Sequence, residues 1–182
     1  MAETQNPCKT MILGVGNLLL RDEGVGVHAA VNLVELPLPD NIEVVEGGTD
    51  GFGLFNLILE TDRLIVVDCV KGGGEPASIY SFDIDDYQHF PDVYKTSVHQ
   101  ISIEEVISLT GAFRKPPRTT IIGIEPAEVS MSMELSPRVL DKLPRVMELA
   151  IEAAGVDPAE YSHYLKPPFI KPGPDHRALL PT

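Results

Sequence analysis

The chain has 182 residues, 43% of them hydrophobic and 23% charged, enough for one ordinary core and unlike a fibrous or wholly disordered protein. Its formal net charge of −13 would repel a phosphate backbone, so nucleic acid is not an expected partner. The two cysteines, Cys8 and Cys69, lie far apart and exclude a disulfide framework or a paired-cysteine metal site. The first residues lack the charged and apolar regions of a signal peptide, and no apolar run approaches the ~20 residues of a membrane span. A cytoplasmic protein without membrane contact is therefore expected.

Apolar runs alternate with helix-period segments along the chain. Thr10–Val15 is short, apolar and followed by Gly16 and Asn17, the pattern of a buried strand meeting a turn. Gly24–Leu36 follows with Val27, Ala30, Val31 and Val34 at helical spacing, Asp22 as the expected N-cap and Pro37 as the stop. Ile42–Val45 predicts a second strand, and Phe52, Leu54, Phe55, Leu57, Ile58 and Leu59 a short buried helix. Arg63–Asp68 is apolar and β-branched, the mark of a strand covered on both faces near the middle of a sheet. Ser78–Phe82 reads as an edge strand and Asp83–Tyr94 as an irregular surface excursion. A helix is expected over Ile101–Leu109, a buried strand over Thr119–Ile124, and an amphipathic helix over Ser136–Ala154 closed by Gly155.

Residues 1–156 thus form a single α/β domain. It is a three-layer αβα arrangement around a mostly parallel, doubly wound sheet of about five strands, with helices on both faces. Six of the sixteen prolines fall in 157–182, where no apolar periodicity remains, so an extended or disordered tail is expected there. In doubly wound sheets, sites form beyond the carboxyl ends of the strands. The loops after Val15, Val45, Val67 and Ile124 are the places to search.

The first of these, Gly14-Val15-Gly16-Asn17-Leu18-Leu19, begins like a dinucleotide fingerprint but has Leu19 in place of the third glycine. Asp22 and Glu23 would also put negative charge where a pyrophosphate sits, so no nucleotide is expected. Glu23 and Asp68 both belong at the carboxyl end of the sheet. Taken singly, each has an ordinary explanation in helix-dipole or loop-capping roles. Together with His99, which precedes a predicted helix, they make a donor set of two carboxylates and an imidazole suited to zinc, nickel or manganese, with positions left open. A loop histidine bonded to a carbonyl explains His99 equally well, and no short ligand spacing joins the three. Asn17 could bond a substrate or its own loop. Gly47 and Gly48 could admit a substrate backbone or simply make a tight turn. No Gly-x-Ser-x-Gly elbow is present, and Cys69, after a buried strand, reads as a small apolar residue.

The run Gly14-Val15-Gly16-Asn17-Leu18-Leu19-Leu20-Arg21-Asp22-Glu23-Gly24-Val25-Gly26, with Glu46-Gly47-Gly48-Thr49, Asp68, His99-Gln100 and Ile124-Glu125-Pro126, resembles the nickel-iron hydrogenase maturation endopeptidases from about Thr10 to Gly155. The resemblance implies an endopeptidase that removes a C-terminal extension from the hydrogenase large-subunit precursor after nickel insertion. It also implies that Glu23, Asp68 and His99 contact the metal. That metal is nickel supplied by the precursor, or another divalent ion in its place. Asn17, Gly47 and Gly48 would be substrate-facing. Two other functions would fit a chain of this topology: a nickel-binding escort that does not cut, and a nucleotide-dependent oxidoreductase.

Overall fold

The computed structural model describes residues 8–49, 52–89 and 103–173. Five strands, β1 (Thr10–Val15), β2 (Ile42–Gly48), β3 (Arg63–Cys69), β4 (Ile79–Asp83) and β5 (Arg118–Ile124), form one sheet in the order β2-β1-β3-β5-β4. The first three and β5 are parallel, and β4 closes one edge antiparallel to β5. The doubly wound α/β architecture expected from the alternating pattern is the one observed, with Arg63–Cys69 at its centre.

Side chains on successive strand positions point to opposite faces, and the two cores follow that period. On one face Ile12, Ile65, Val67 and Ile122 pack with helices α1 (Val25–Leu33) and α4 (Pro137–Ala153). On the other face Met11, Leu13, Leu64, Val66 and Ile121 meet the short helix α2 (Phe55–Leu59) and α3 (Ile103–Thr110). Side chains such as Leu143 and Met147, fully removed from water, each contribute about 2 kcal/mol of transfer free energy.

Helix α1 is shorter than the expected Gly24–Leu36. Pro37 offers no N–H to the Leu33 carbonyl, which instead accepts from Leu36 N, and the chain leaves the helix there with Val34 exposed. Its N-cap is Gly24 rather than Asp22, and no side chain caps it. Helix α4 starts as expected, with the Ser136 hydroxyl accepting from Val139 N and Pro137 in the first turn. It ends with Gly155 at φ 88°, where Gly155 N donates to Glu152 O and Val156 N to Ile151 O, a left-handed closure that a side chain would oppose. Of the stretch expected to be irregular, Asp83 ends β4, Ile84–His89 is a 3-10 turn, and residues 90–94 lie outside the described residues.

The expectation of an extended or disordered tail fails for its first part. A 3-10 turn, Pro158–Tyr161, brings Tyr161 and Leu165 into the α1/α4 core, and the Tyr161 hydroxyl donates to Pro37 O at 3.3 Å. Further on, the Asn32 side chain on α1 donates to Ile170 O at 3.0 Å and accepts from Ile170 N at 2.8 Å, holding the chain as a neighbouring strand would. These anchors are isolated apolar residues and one amide, so they leave no periodic trace in the sequence. Residues 174–182 lie outside the described set.

Candidate active site at the carboxyl edge of the sheet

From adjacent parallel strands β1 and β3 the chain departs in opposite directions, to β2 on one side and toward β4 and β5 on the other. A crevice at the strand ends belongs at such a switch point. The first turn of α1 sits directly over it. A Cβ on Gly26 would fall 2.1 Å from Val67 O and 2.2 Å from Val15 O, and one on Gly14 would fall 2.0 Å from Gly26 O. The close helix–strand approach that a third fingerprint glycine would allow is achieved here by Gly14 against Gly26.

Between β1 and α1 the chain makes a 3-10 turn, Arg21–Gly24. Consecutive side chains in such a turn diverge by about 120°, so neighbouring acids face different surroundings. Asp22 is fully buried, whereas Glu23 is half-buried. Asp68, also half-buried, lies near the end of β3, and its Oδ1 accepts from Cys69 N at 2.7 Å. Glu23 follows β1 and Asp68 lies near the end of the adjacent strand β3. Burial pushes the Cys69 thiol far above its ordinary pKa, and the negative charges of Asp68, Glu23 and Asp22 add to that rise, so all three lie within electrostatic reach of one sulfur. Such a thiol stays protonated and cannot serve as a nucleophile. A thiol-reactive dye should therefore label exposed Cys8 in the native protein and reach Cys69 only on unfolding; native labelling of Cys69, read by peptide mass, would contradict this.

His99, the third expected donor, lies outside the described residues. Among the described residues no group of three or more His, Cys, Asp or Glu side chains could hold a metal ion. The Asn17 side chain serves its own loop, its Oδ1 accepting from Leu19 N at 3.0 Å, while Asn17 N donates to Glu23 O at 3.1 Å. At Gly47 a Cβ would point inward, 2.8 Å from Leu13 Cδ1 and 3.0 Å from Leu54 Cδ1, so the missing side chain there serves packing. Gly48, at φ 54°, accepts from Gly16 N through its carbonyl, which ties the ends of β1 and β2 together.

Two buried carboxylates, Asp22 and Glu125, were not among the expected site residues. Asp22 accepts from Ala127 N, Glu128 N, Ser136 N and the Ser136 hydroxyl. Glu125 accepts from Gly72 N at 2.7 Å, Gly74 N at 3.3 Å and the Tyr80 hydroxyl at 2.9 Å, fixing the glycine loop that follows β3. Both act on partners far away in sequence, so no local signal could have identified them.

A doubly wound sheet with a switch point between β1 and β3, and with Glu23 and Asp68 following those strands, defines the α/β class of this protein. A family model for hydrogenase maturation proteases matches residues 27–153. That stretch includes Asp68 and His99, with Glu23 just before it. The hydrogenase expression/formation protein HupD of Bradyrhizobium diazoefficiens is 35% identical over 147 residues, covering 79% of this chain and 77% of the relative. The hydrogenase 2 maturation protease of Escherichia coli is 30% identical over 164 residues, covering 85% and 99%. The solved hydrogenase maturating endopeptidase HybD from Escherichia coli superposes with a TM-score of 0.72 at 28% identity, covering 82% of this chain and 95% of that one. The [NiFe] hydrogenase maturation protease HybD from Thermococcus kodakarensis gives 0.69 at 27% identity, covering 80% and 99%. The chain belongs to the hydrogenase maturation protease family and is a peptide-bond hydrolase. Among the described residues no helix is long and apolar enough to cross a membrane.

Proposed function

We propose that this protein removes the C-terminal extension of a nickel-iron hydrogenase large-subunit precursor, and that Glu23, Asp68 and His99 recognise nickel already seated in that precursor. What supports the reading is that Glu23, just after β1, and Asp68, near the end of β3, both carry charge that acts on the Cys69 thiol. Family membership supports the reaction class. Two carboxylate oxygens and one imidazole nitrogen are donors that a divalent nickel accepts. The metal belongs to the substrate and marks a precursor ready for cleavage.

The chain's own part is to bind and orient. Glu23 sits on a turn whose backbone is bonded on both sides, Glu23 N to Leu20 O at 3.2 Å and Asn17 N to Glu23 O at 3.1 Å, so its carboxylate projects from a fixed point. Holding the scissile peptide beside a positioned carboxylate can supply a large share of the rate by proximity alone. Attack by water needs no nucleophilic side chain, and either carboxylate can take up its proton. Recognition should weaken in acid, because His99 must be neutral to act as a donor.

The test is mass spectrometry of a nickel-loaded precursor before and after incubation with the protein, beside a nickel-free control. Loss of a C-terminal peptide from the loaded precursor alone is expected. Equal cleavage of the control would remove nickel from recognition, and unchanged mass in both would sink the reading.

A further inference from the structure

We propose that Asp22 is the positioning residue of this site: its buried carboxylate locks the Arg21–Gly24 turn to the segment between β5 and α4, and so fixes where Glu23 presents its own carboxylate. The inference rests on the reading of Glu23 given above. Asp22 is 0% exposed. Its Oδ2 accepts from Ala127 N at 2.9 Å, Glu128 N at 2.7 Å and the Ser136 hydroxyl at 2.8 Å, while Oδ1 accepts from Ser136 N at 2.7 Å. A buried carboxylate is tolerated only with such compensation.

The bond to Ser136 N identifies what the residue does. In a capping box the third helical residue reaches back to the N–H of the N-cap, but in α4 that position is Val139, which has no acceptor. Asp22 supplies the missing acceptor from 114 residues away. The start of α4 and the turn bearing Glu23 are therefore one unit. A second set of bonds joins the same two segments: Arg21 N donates to Ser132 O at 2.8 Å and Ser132 N to Leu19 O at 3.1 Å. Arg21 is held at φ 53°, a left-handed conformation uncommon for arginine, and these contacts fix it there.

Asp22→Asn presents an amide N–H to at least one of these donors in either orientation, so the clamp cannot close fully. Ser136→Ala is the comparison, because it removes the hydroxyl and the α4 cap but keeps the backbone N–H to Asp22. With nickel-loaded precursor, Asp22→Asn should lower kcat roughly 100-fold with KM little changed, as misplacement of a positioned group does. Ser136→Ala, which removes one of the four bonds to Asp22, should lower Tm with a much smaller loss of kcat than Asp22→Asn. Equal kcat for Asp22→Asn and the parent protein, or a loss that matches Ser136→Ala at the same Tm, would overturn the proposal. If Asp22→Asn does not fold, Asp22→Ser, which keeps one acceptor oxygen, is judged by the same criteria. An active Glu23→Gln would remove both this inference and the reading beneath it, whereas inactive Glu23→Gln with active Asp22→Asn would remove this inference alone.

Discussion

Glu23→Gln and Asp68→Asn should each lower precursor cleavage by about two to three orders of magnitude, the scale expected when a charged contact made in the transition state is lost. Both substitutions keep shape and one acceptor oxygen, so Asp68→Asn can still accept from Cys69 N. Neither should lower Tm by more than about 3 °C. Three acids raise the pKa of one buried thiol, so each substitution removes one of the negative charges acting on it. The Cys69 thiol should become easier to ionise in both variants, by a direction and not a reversal, because burial is the larger cause of its rise. His99→Ala is expected to show the same loss of cleavage. Cleavage assays with nickel-loaded precursor and thermal melts check the set. Full activity in all three variants would refute the site, and a loss of activity that only follows a loss of fold would leave the carboxylates with a structural role.

Gly26→Ala is expected to have the largest effect on stability. The added methyl meets Val67 O at 2.1 Å, Val15 O at 2.2 Å and Val15 N at 2.7 Å, all backbone atoms of two central strands. No side chain can swing aside to make room. The first turn of α1 would have to lift from the sheet, carrying the Arg21–Gly24 turn with it. Overpacking commonly costs 1–3 kcal/mol, and contact with backbone on both sides puts this case at about 3 kcal/mol or more. A fall in Tm on the order of 10 °C follows for a chain of this length. Urea unfolding and a thermal scan measure it, and a Tm unchanged from the parent would show that α1 does not press on the strand ends as described. Cleavage should fall as well, since Glu23 rides on the displaced turn.

The motif Asp22-Glu23-Gly24-Val25-Gly26 therefore combines separate physical demands. Asp22 bonds inward, Glu23 stays half-buried, and Gly26 lets the helix approach the strands. A sequence shows these as adjacent letters, and a dinucleotide template would look for its packing glycine at position 19. The structure shows the same close approach made by a different glycine.

Strand and helix identities were legible because each depends on nearby residues. The β-branched run of β3, the Ser136-Pro137 start and Gly155 stop of α4, and the apolar period of α3 are all local, and the observed bounds differ from the expected ones by a few residues at most for these elements. The three candidate donors came from placing loops at one end of a parallel sheet, and two of them, Glu23 and Asp68, both act on the charge state of Cys69. What could not be seen were contacts between segments with no shared period. The docking of 157–173 through Tyr161, Leu165 and Asn32 is of this kind.

Residue chemistry and short-range pattern by themselves determined the α/β class, the buried strands and the candidate acids, because hydrophobic period and turn chemistry act over a few residues. Only the tertiary structure decided the order β2-β1-β3-β5-β4, the inward role of Asp22 and the direction a side chain at Gly47 would take. Each of those depends on which distant segment arrives alongside, and a hydrogen bond spanning 114 residues leaves no mark on the sequence near either end.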